Sequence, residues 1–325
     1  AAPGGVWAAG RITDWQGQPS GFVARLIKGN NPSPVIETGV PMTAIHHRLA
    51  TGWAGKAYYY DGSTWVHAPS IGTHLGTRTV YGTWGATLPE QQVYYLAGEE
   101  GTVARCTTDD DGASFACADT PGIAGTALMA GVVGTTEAGQ EGRSWALRFN
   151  GIEHLYSSPD GQTAYSAAPP EGCVDEGTSG ACAVLPGRLL DIWAASAHEV
   201  WAVGEQGIVL RFDGAGWVRV AVPTIDTPPQ SAYTFRAVFA DDEVVVLAGD
   251  RNFSNQFHDM ILLFYNRTLD RWYPPRLVTA VPYSDPTRTA FRFYDAGGVD
   301  TTDLHLVGSI WSTSGAEQRA LFLIR

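Results

Sequence analysis

Hydrophobic positions in this chain fall in short runs, each closed by Gly, Pro or Asp-Gly. The clearest stretch is 189–224, LLDIWAASAHEVWAVGEQGIVLRFDGAGWVRVAVPT. Leu189–Ala194, Val200–Val203, Ile208–Phe212 and Trp217–Val222 are rich in β-branched and aromatic residues, with Gly204, Asp213-Gly214 and Pro223 at the turn positions. The pattern predicts four strands. Asp213-Gly214 suits a tight hairpin, because glycine supplies the positive φ that such turns require. Four strands joined by tight turns make one antiparallel meander, whose apolar faces need further sheets stacked against them.

Those sheets are written elsewhere in the chain. Residues 93–106, VYYLAGEEGTVARC, align with 199–212, EVWAVGEQGIVLRF, at a constant offset that sets Gly98 on Gly204, Glu99 on Glu205, Gly101 on Gly207, Val103 on Val209 and Arg105 on Arg211. An apolar second strand ending in glycine recurs at Gly10, Gly55, Gly134, Gly249 and Gly308. A third-strand motif recurs as ARLIKG, AYYYDG, VARCTT, ALRFNG, VLRFDG, LLFYNR and ALFLIR. Both series count seven, with a mean period of about 45 residues. The expectation is an all-β chain, 1–325, forming a single β-propeller of seven four-stranded antiparallel blades, or six if the weak repeats at Gly55 and Gly134 do not count. The first blade, 1–42, lacks a first strand and the C-terminus ends on a third, so strands from both ends are expected to complete one blade. Three connections stand out as loops: 169–187, DRNFSNQFHD at 250–259, and 282–289.

The motif D-I-W-A-A-S…E-V-W-A-V-G-E-Q-G…L-R-F-D-G over 191–214 resembles the WAVG-type repeats of secreted bacterial propeller proteins of myxobacterial style, relatives of Asp-box and photosystem-assembly-factor-like propellers. The match is close over 189–224, looser over 79–117, and one of rhythm elsewhere. It implies an extracytoplasmic propeller and no particular activity. Thr108–Phe115 also resembles an Asp box, with Asp110, Gly112 and Phe115 in its places, which is structural in most propellers.

Composition narrows the partners. The net charge of −12 argues against nucleic acid and anionic lipid, which demand a basic surface. No apolar run approaches the length of a spanning helix. The Ala-Ala-Pro-Gly-Gly start reads as a mature or truncated end. The four cysteines form two close pairs, Cys106 with Cys117 and Cys173 with Cys182, the second in a polar Gly/Ser excursion that has no apolar home. They read as two local disulfides in an oxidising compartment, secreted, periplasmic or on the outer cell surface, rather than as zinc ligands, whose spacing is tighter.

No catalytic constellation emerges: there is no G-x-S-x-G elbow, and the Phe-Arg-Ile-Pro motif of sialidases is missing. Arg236 and Arg292 fall on first strands, where a channel-lining pair would hold a carboxylate, or would bond acids and carbonyls within the channel. His46 and His47 are adjacent on a strand and so are expected on opposite faces, which leaves His46 as a channel candidate and disfavours a two-His metal site. Trp53, Trp193 and Trp311 are candidate sugar-stacking faces, with packing as the plainer role. Asp109 and Asp111 are weak calcium candidates; no other cofactor is expected. The functional expectation is a non-catalytic binding or scaffolding module for an envelope or extracellular protein. The alternatives are a lectin-like polysaccharide binder and a glycoside hydrolase or lyase at the channel mouth, which needs two facing carboxylates.

Overall fold

A computed structural model of the chain describes residues 5–13, 19–27, 35–101, 103–109, 114–120, 128–135, 141–148, 155–160, 166–167, 174–175, 185, 187–224, 230–254, 257–274, 276–278, 289–298, 304–312 and 318–324. Residues Ala1–Ala168 and Pro169–Arg325 form two compact units.

The first unit is a succession of antiparallel meanders. Sheet 1 holds β1 (Gly5–Thr13), β2 (Pro19–Ile27) and β3 (Val35–Glu37). Sheet 2 holds β4 (Met42–His46), β5 (Leu49–Gly52), β6 (Ala57–Tyr60) and β7 (Trp65–His67). Sheet 3 holds β8 (Val80–Thr87), β9 (Gln92–Gly98), β10 (Val103–Thr108) and β11 (Ala116–Thr120). Sheet 4 holds β12 (Leu128–Thr135), β13 (Glu141–Arg148), β14 (Leu155–Ser158) and β15 (Ser166–Ala167). The first strands lie side by side, β1 by β4, β4 by β8 and β8 by β12.

The second unit repeats the plan. Its β16 (Val174–Asp175) adds in parallel to the outer edge of sheet 5, which holds β17 (Leu189–Ser196), β18 (Glu199–Gly204), β19 (Val209–Phe212) and β20 (Trp217–Arg219). Sheet 6 holds β21 (Tyr233–Ala240), β22 (Val244–Ser254), β23 (Phe257–Asn266) and β24 (Arg271–Trp272), with β25 (Arg276–Val278) also pairing β23. Sheet 7 holds β26 (Thr289–Gly298), β27 (Leu304–Ser312) and β28 (Gln318–Ile324). Here β17 lies by β21 and β21 by β26.

Second strands are buried on both faces. Every residue from Val93 to Gly98, from Val200 to Gly204 and from Val244 to Asp250 is buried. Sheet 3 lies between sheets 2 and 4, and sheet 6 between sheets 5 and 7, so β9 and β22 are covered on both sides and read as continuous apolar runs rather than alternating ones. Between sheets 5 and 6 the packing joins Trp201, Val203 and Val209 to Phe235, Leu247, Leu263 and Tyr265. Between sheets 2 and 3 it joins Leu49 and Tyr59 to Tyr94, Leu96 and Phe115.

The repeated glycine has a mechanical cause. The first strands of sheets 2, 3, 5 and 6 each carry a bulge near their start, and the residue before it pairs with a glycine of the second strand, at the strand's end in sheets 2, 3 and 5 and within it in sheet 6: Met42 with Gly52, Val80 with Gly98, Leu189 with Gly204, Phe235 with Gly249. A Cβ on Gly98 would lie 1.9 Å from the carbonyl oxygen of Thr79, and one on Gly204 2.0 Å from that of Arg188. Backbone meets backbone there, and only glycine fits. Sheet 7 repeats the pairing with Phe293 and Gly308.

Several sequence expectations need correction. In sheet 1 the run through Gly10 is β1, which lies beside β4 as first strands do elsewhere, so residues 1–42 supply first, second and third strands rather than lacking a first. In sheet 2 the closing glycine is Gly52. Gly55 ends the 3₁₀ turn Trp53–Gly55, where its φ of 65° matches Gly207 at 68° in the equivalent turn. In sheet 4 the run ending at Gly134 is the first strand, β12, and Ala146–Arg148 lies on the second, β13. The marker misled because Arg148 pairs with the residue before the bulge, Leu128, while glycines sit inside the first strand. Residues 250–254 and 257–259 are not a loop but the far end of a long β22–β23 hairpin. Pro69–Leu75 forms a helix, α1, whose Ile71 and Leu75 enter the core while Arg78 caps its carbonyls at Leu75 (2.9 Å) and His74 (2.8 Å). The 169–187 excursion contains the β16 strand.

The Asp-Gly signals behave as expected. Asp61 accepts from the backbone N–H groups of Ser63 and Thr64, both at 2.8 Å, and Asp213 accepts from those of Ala215 and Gly216, both at 2.9 Å. These bonds hold both carboxyls below the usual range. Cys106 and Cys117 face each other across β10 and β11 and form a disulfide, with Cα atoms 4.1 Å apart. Cys173, Cys182, Asp110, Asp111 and Gly112 lie outside the described residues. Phe115 is buried against Tyr59, at a ring distance of 5.3 Å.

Candidate binding site

The inner strands spend their polar groups on holding sheets together. Asp191, at the bulge of β17, accepts from its neighbour Ile192 N–H and, on β21, from Val238 N–H, both at 2.8 Å. The hydroxyls of Thr51 and Thr83 bond across sheets 2 and 3 at 2.6 Å. Arg236, on β21, donates its Nε–H to Asp250 at 2.5 Å, and the Asp250 side chain is 4% exposed. The guanidinium nominated as a carboxylate receptor thus already holds a carboxylate of its own sheet. Arg292 lies on β26 and Trp311 on β27, and their side chains are outside the described set.

Trp193 donates its indole N–H to the Ala240 carbonyl at 2.7 Å and packs on Phe239 at 5.0 Å, joining sheets 5 and 6. Trp53 stands on its 3₁₀ turn 42% exposed. His46 and His47 do not take opposite faces. His46 ends β4, while His47 sits in the turn with φ 51°, and the ring centroids are 5.0 Å apart. A turn residue in the left-handed region escapes strand alternation. Burial first, and His47 second, push His46 down to about 3. Asp109 is exposed, and among the described residues no three His, Cys, Asp or Glu side chains cluster as a metal set.

Between the turns of sheets 5 and 6, within the second unit, lies an open cleft that none of these residues lines. The cleft, of about 370 Å³, is lined by Glu199, Arg211, Asp242, Tyr265, Arg267, Thr268 and Asp270. Tight turns build it. The β21–β22 turn presents Asp242, whose neighbour Asp241 folds back to accept from the N–H groups of Glu243 and Val244, both at 2.8 Å. The β23–β24 turn presents Arg267 to Asp270, and Asn266 accepts from Leu269 N–H at 2.7 Å. Arg267 pairs with Glu199 and donates to the Asp241 carbonyl. Glu199 also takes the indole N–H of Trp201 at 3.0 Å. The Tyr265 hydroxyl donates to Asp270; burial and that bond push it up to about 12. Arg211 lies over the Trp201 ring at 5.8 Å.

The sequence reading passed over this cleft. Its charged residues sit in turns and strand ends that read as solvated. One signal was available: Arg211 aligns with Arg105 in the repeat, and two residues in equivalent places invite comparison of their partners.

No protein-family profile matches this chain, and no curated protein matches it in sequence. Among solved structures it is similar to Chaetomium thermophilum Sqt1 bound to the N-terminus of the ribosomal protein L10, at 13% identity and a TM-score of 0.53 over 98% of this chain and 84% of that one. It is also similar to the WD40 beta propeller domain of Doa1 (7% identity, TM-score 0.49, 87% and 82% of the two chains) and to YCF48 bound to D1 peptide (12%, 0.46, 86% and 80%). At such identities the likeness concerns fold alone, and with the succession of mainly antiparallel sheets, several of them four-stranded, it makes this chain a β-propeller.

Proposed function

We propose that this chain is a secreted or cell-surface propeller of the WAVG type, its seven sheets the blades of one ring, acting as a non-catalytic binding module for an extracytoplasmic protein. The observation that carries the reading is the cleft between the turns of sheets 5 and 6, an open, polar concavity whose walls are fixed by turns and ion pairs. A rigid ring with a shaped, charged rim binds a partner without reorganising itself. The inner-strand carboxylates Asp191 and Asp250 support a non-catalytic role, since both are committed to bonds between or within sheets. The cross-strand disulfide Cys106–Cys117 supports an oxidising compartment. The Sqt1 structure, of the same fold, is bound to a protein N-terminus.

The test is an affinity capture from the source organism's envelope, read by protein mass spectrometry and sugar analysis, followed by calorimetry with the purified partner. A stoichiometric protein that binds in isolation supports the reading. Polysaccharide without protein overturns it in favour of a lectin, and the exposed face of Trp53 is the first to substitute in that case. Turnover of a polysaccharide panel overturns it in favour of an enzyme.

A further inference from the structure

An arginine recurs on the third strand of sheets 3 and 5, in each case directly opposite an aromatic residue of the second strand: Arg105 pairs with Tyr95, Arg211 with Trp201. In sheet 3 this arginine is satisfied from the next sheet. Arg105 Nε reaches Glu141 Oε1 at 3.0 Å and Nη2 reaches Oε2 at 2.5 Å, and the Tyr95 hydroxyl donates to the same carboxylate. Glu141 begins β13, and its side chain is 7% exposed. This is a forked, buried guanidinium–carboxylate pair.

In sheet 5 the corresponding carboxylate is missing. Arg211 rests over Trp201 and contacts the Tyr265 hydroxyl; its charge is felt by Asp213 at the end of the same strand, but among the described residues no carboxylate lies within ion-pair distance of it. It borders the cleft between sheets 5 and 6 instead. We propose that this cleft docks an acidic side chain of a partner protein, whose carboxylate takes on Arg211 the place that Glu141 takes on Arg105. The inference rests on the protein-binding reading above and names the chemistry of the segment bound.

The rest of the lining sets a second condition. Glu199 and Arg267 neutralise each other. Asp270 accepts from the Tyr265 hydroxyl, and Asp242, fully exposed, lies 3.9 Å from Arg267. Two further carboxylates, Asp242 and Asp270, therefore line the cleft with a guanidinium that no carboxylate forks. A polyanion is repelled by this lining. A segment whose acidic residue has a basic neighbour places its carboxylate on Arg211 and its cation beside Asp242 or Asp270. Alternating charge is thus the sequence feature selected.

The test uses the whole chain and two blocked peptides, acetyl-Lys-Ala-Glu-Ala-Lys-amide and its counterpart with Gln in place of Glu. Binding is followed by NMR on the indole N–H of Trp201 and the Nε–H of Arg211. The Glu peptide should bind at least about tenfold more tightly, the worth of one charge-assisted fork. Arg211→Gln should erase that preference, Arg211→Lys should keep part of it, and Arg236→Gln should leave it whole. Equal affinity for the two peptides on the unsubstituted protein, or no saturable binding of either, overturns the inference without any variant having to fold. So does a preference that survives Arg211→Gln. The two readings fail separately. A protein partner that binds the Arg211→Gln variant as tightly as the parent leaves the binding-module reading standing and removes this one. Peptide discrimination with no protein partner in the envelope does the reverse.

Discussion

Arg105 and Glu141 meet across sheets 3 and 4 in a forked pair, at 3.0 and 2.5 Å, with only 19% and 7% of their side chains exposed. Removing the acid strands a guanidinium in a mostly dry interface and takes one bond from the Tyr95 hydroxyl. Glu141→Ala should cost about 2–4 kcal/mol, because an uncompensated buried charge is penalised more than a missing pair. The double variant Arg105→Met/Glu141→Leu should recover much of the loss. Urea unfolding measures both, and a Glu141→Ala protein within about 0.5 kcal/mol of the parent would show the pair to be idle.

Gly204 offers a test of the repeat itself. A methyl group there would lie 2.0 Å from the Arg188 carbonyl oxygen, and that oxygen accepts a bond from Glu205 N–H at 2.9 Å. Gly204→Ala must therefore shift the backbone of β17 or break the turn, at a cost of about 2–4 kcal/mol. Gly216→Ala is the control: nothing lies within 4 Å of its added carbon, and it should change stability by less than about 0.5 kcal/mol. Equal effects of the two substitutions would sink the close-approach argument.

That geometry also shows why the fold was legible. The glycine at 98 and 204, the Asp-Gly turn at 213 and the apolar runs of β9 and β18 are local necessities, repeated wherever the same bulge and turn recur. Sheet 4 resisted because its bulge is opposed by Arg148, so the local marker points to the wrong strand. Helix α1 was missed because two anchoring residues, Ile71 and Leu75, are too few to show a period, and Gly72 stands between them. The candidate site was scarcely legible. Arg236 and Arg211 are alike in a sequence, and what separates them is Asp250 on one side and an open cleft on the other. Such partners come from different strands and different sheets, and no local pattern records them.

The Cys106–Cys117 disulfide closes a loop of sequence separation 11 between adjacent strands. Loop-closure entropy for so short a span is worth about 2–3 kcal/mol. Replacing both cysteines with alanine should lower stability by that amount, and the unreduced native protein should show neither thiol to an alkylating reagent. Free thiols at Cys106 and Cys117 in protein purified without reductant would contradict the extracytoplasmic proposal as well.

His46 predicts how stability changes with pH. Among the described residues its Nε2 is buried without a hydrogen-bond partner, and burial first and the neighbouring His47 second outweigh a backbone hydrogen bond at Gly85 and hold the ring near 3, well below the ordinary value of 6.5. The residue as a whole is half-buried, but the packing around that nitrogen governs the protonated form. The folded state keeps His46 neutral while the unfolded chain takes up a proton below about pH 6.5. Stability is therefore complete above that value and falls as the pH drops toward 3, by about 1.4 kcal/mol per pH unit for one proton. His47 is exposed, so solvent screens its interactions and its part in the slope is small. Glu205, held down chiefly by its bond from Arg188, and Asp213 contribute stability that is lost only at more acidic pH, below the ordinary carboxylate values. Denaturation at pH 6.5, 5.5 and 4.8 isolates the imidazoles from the carboxylates. His46→Leu should reduce the slope in this window by about one proton's worth; an unchanged slope would mean that the ring already exchanges its proton with water in the folded state.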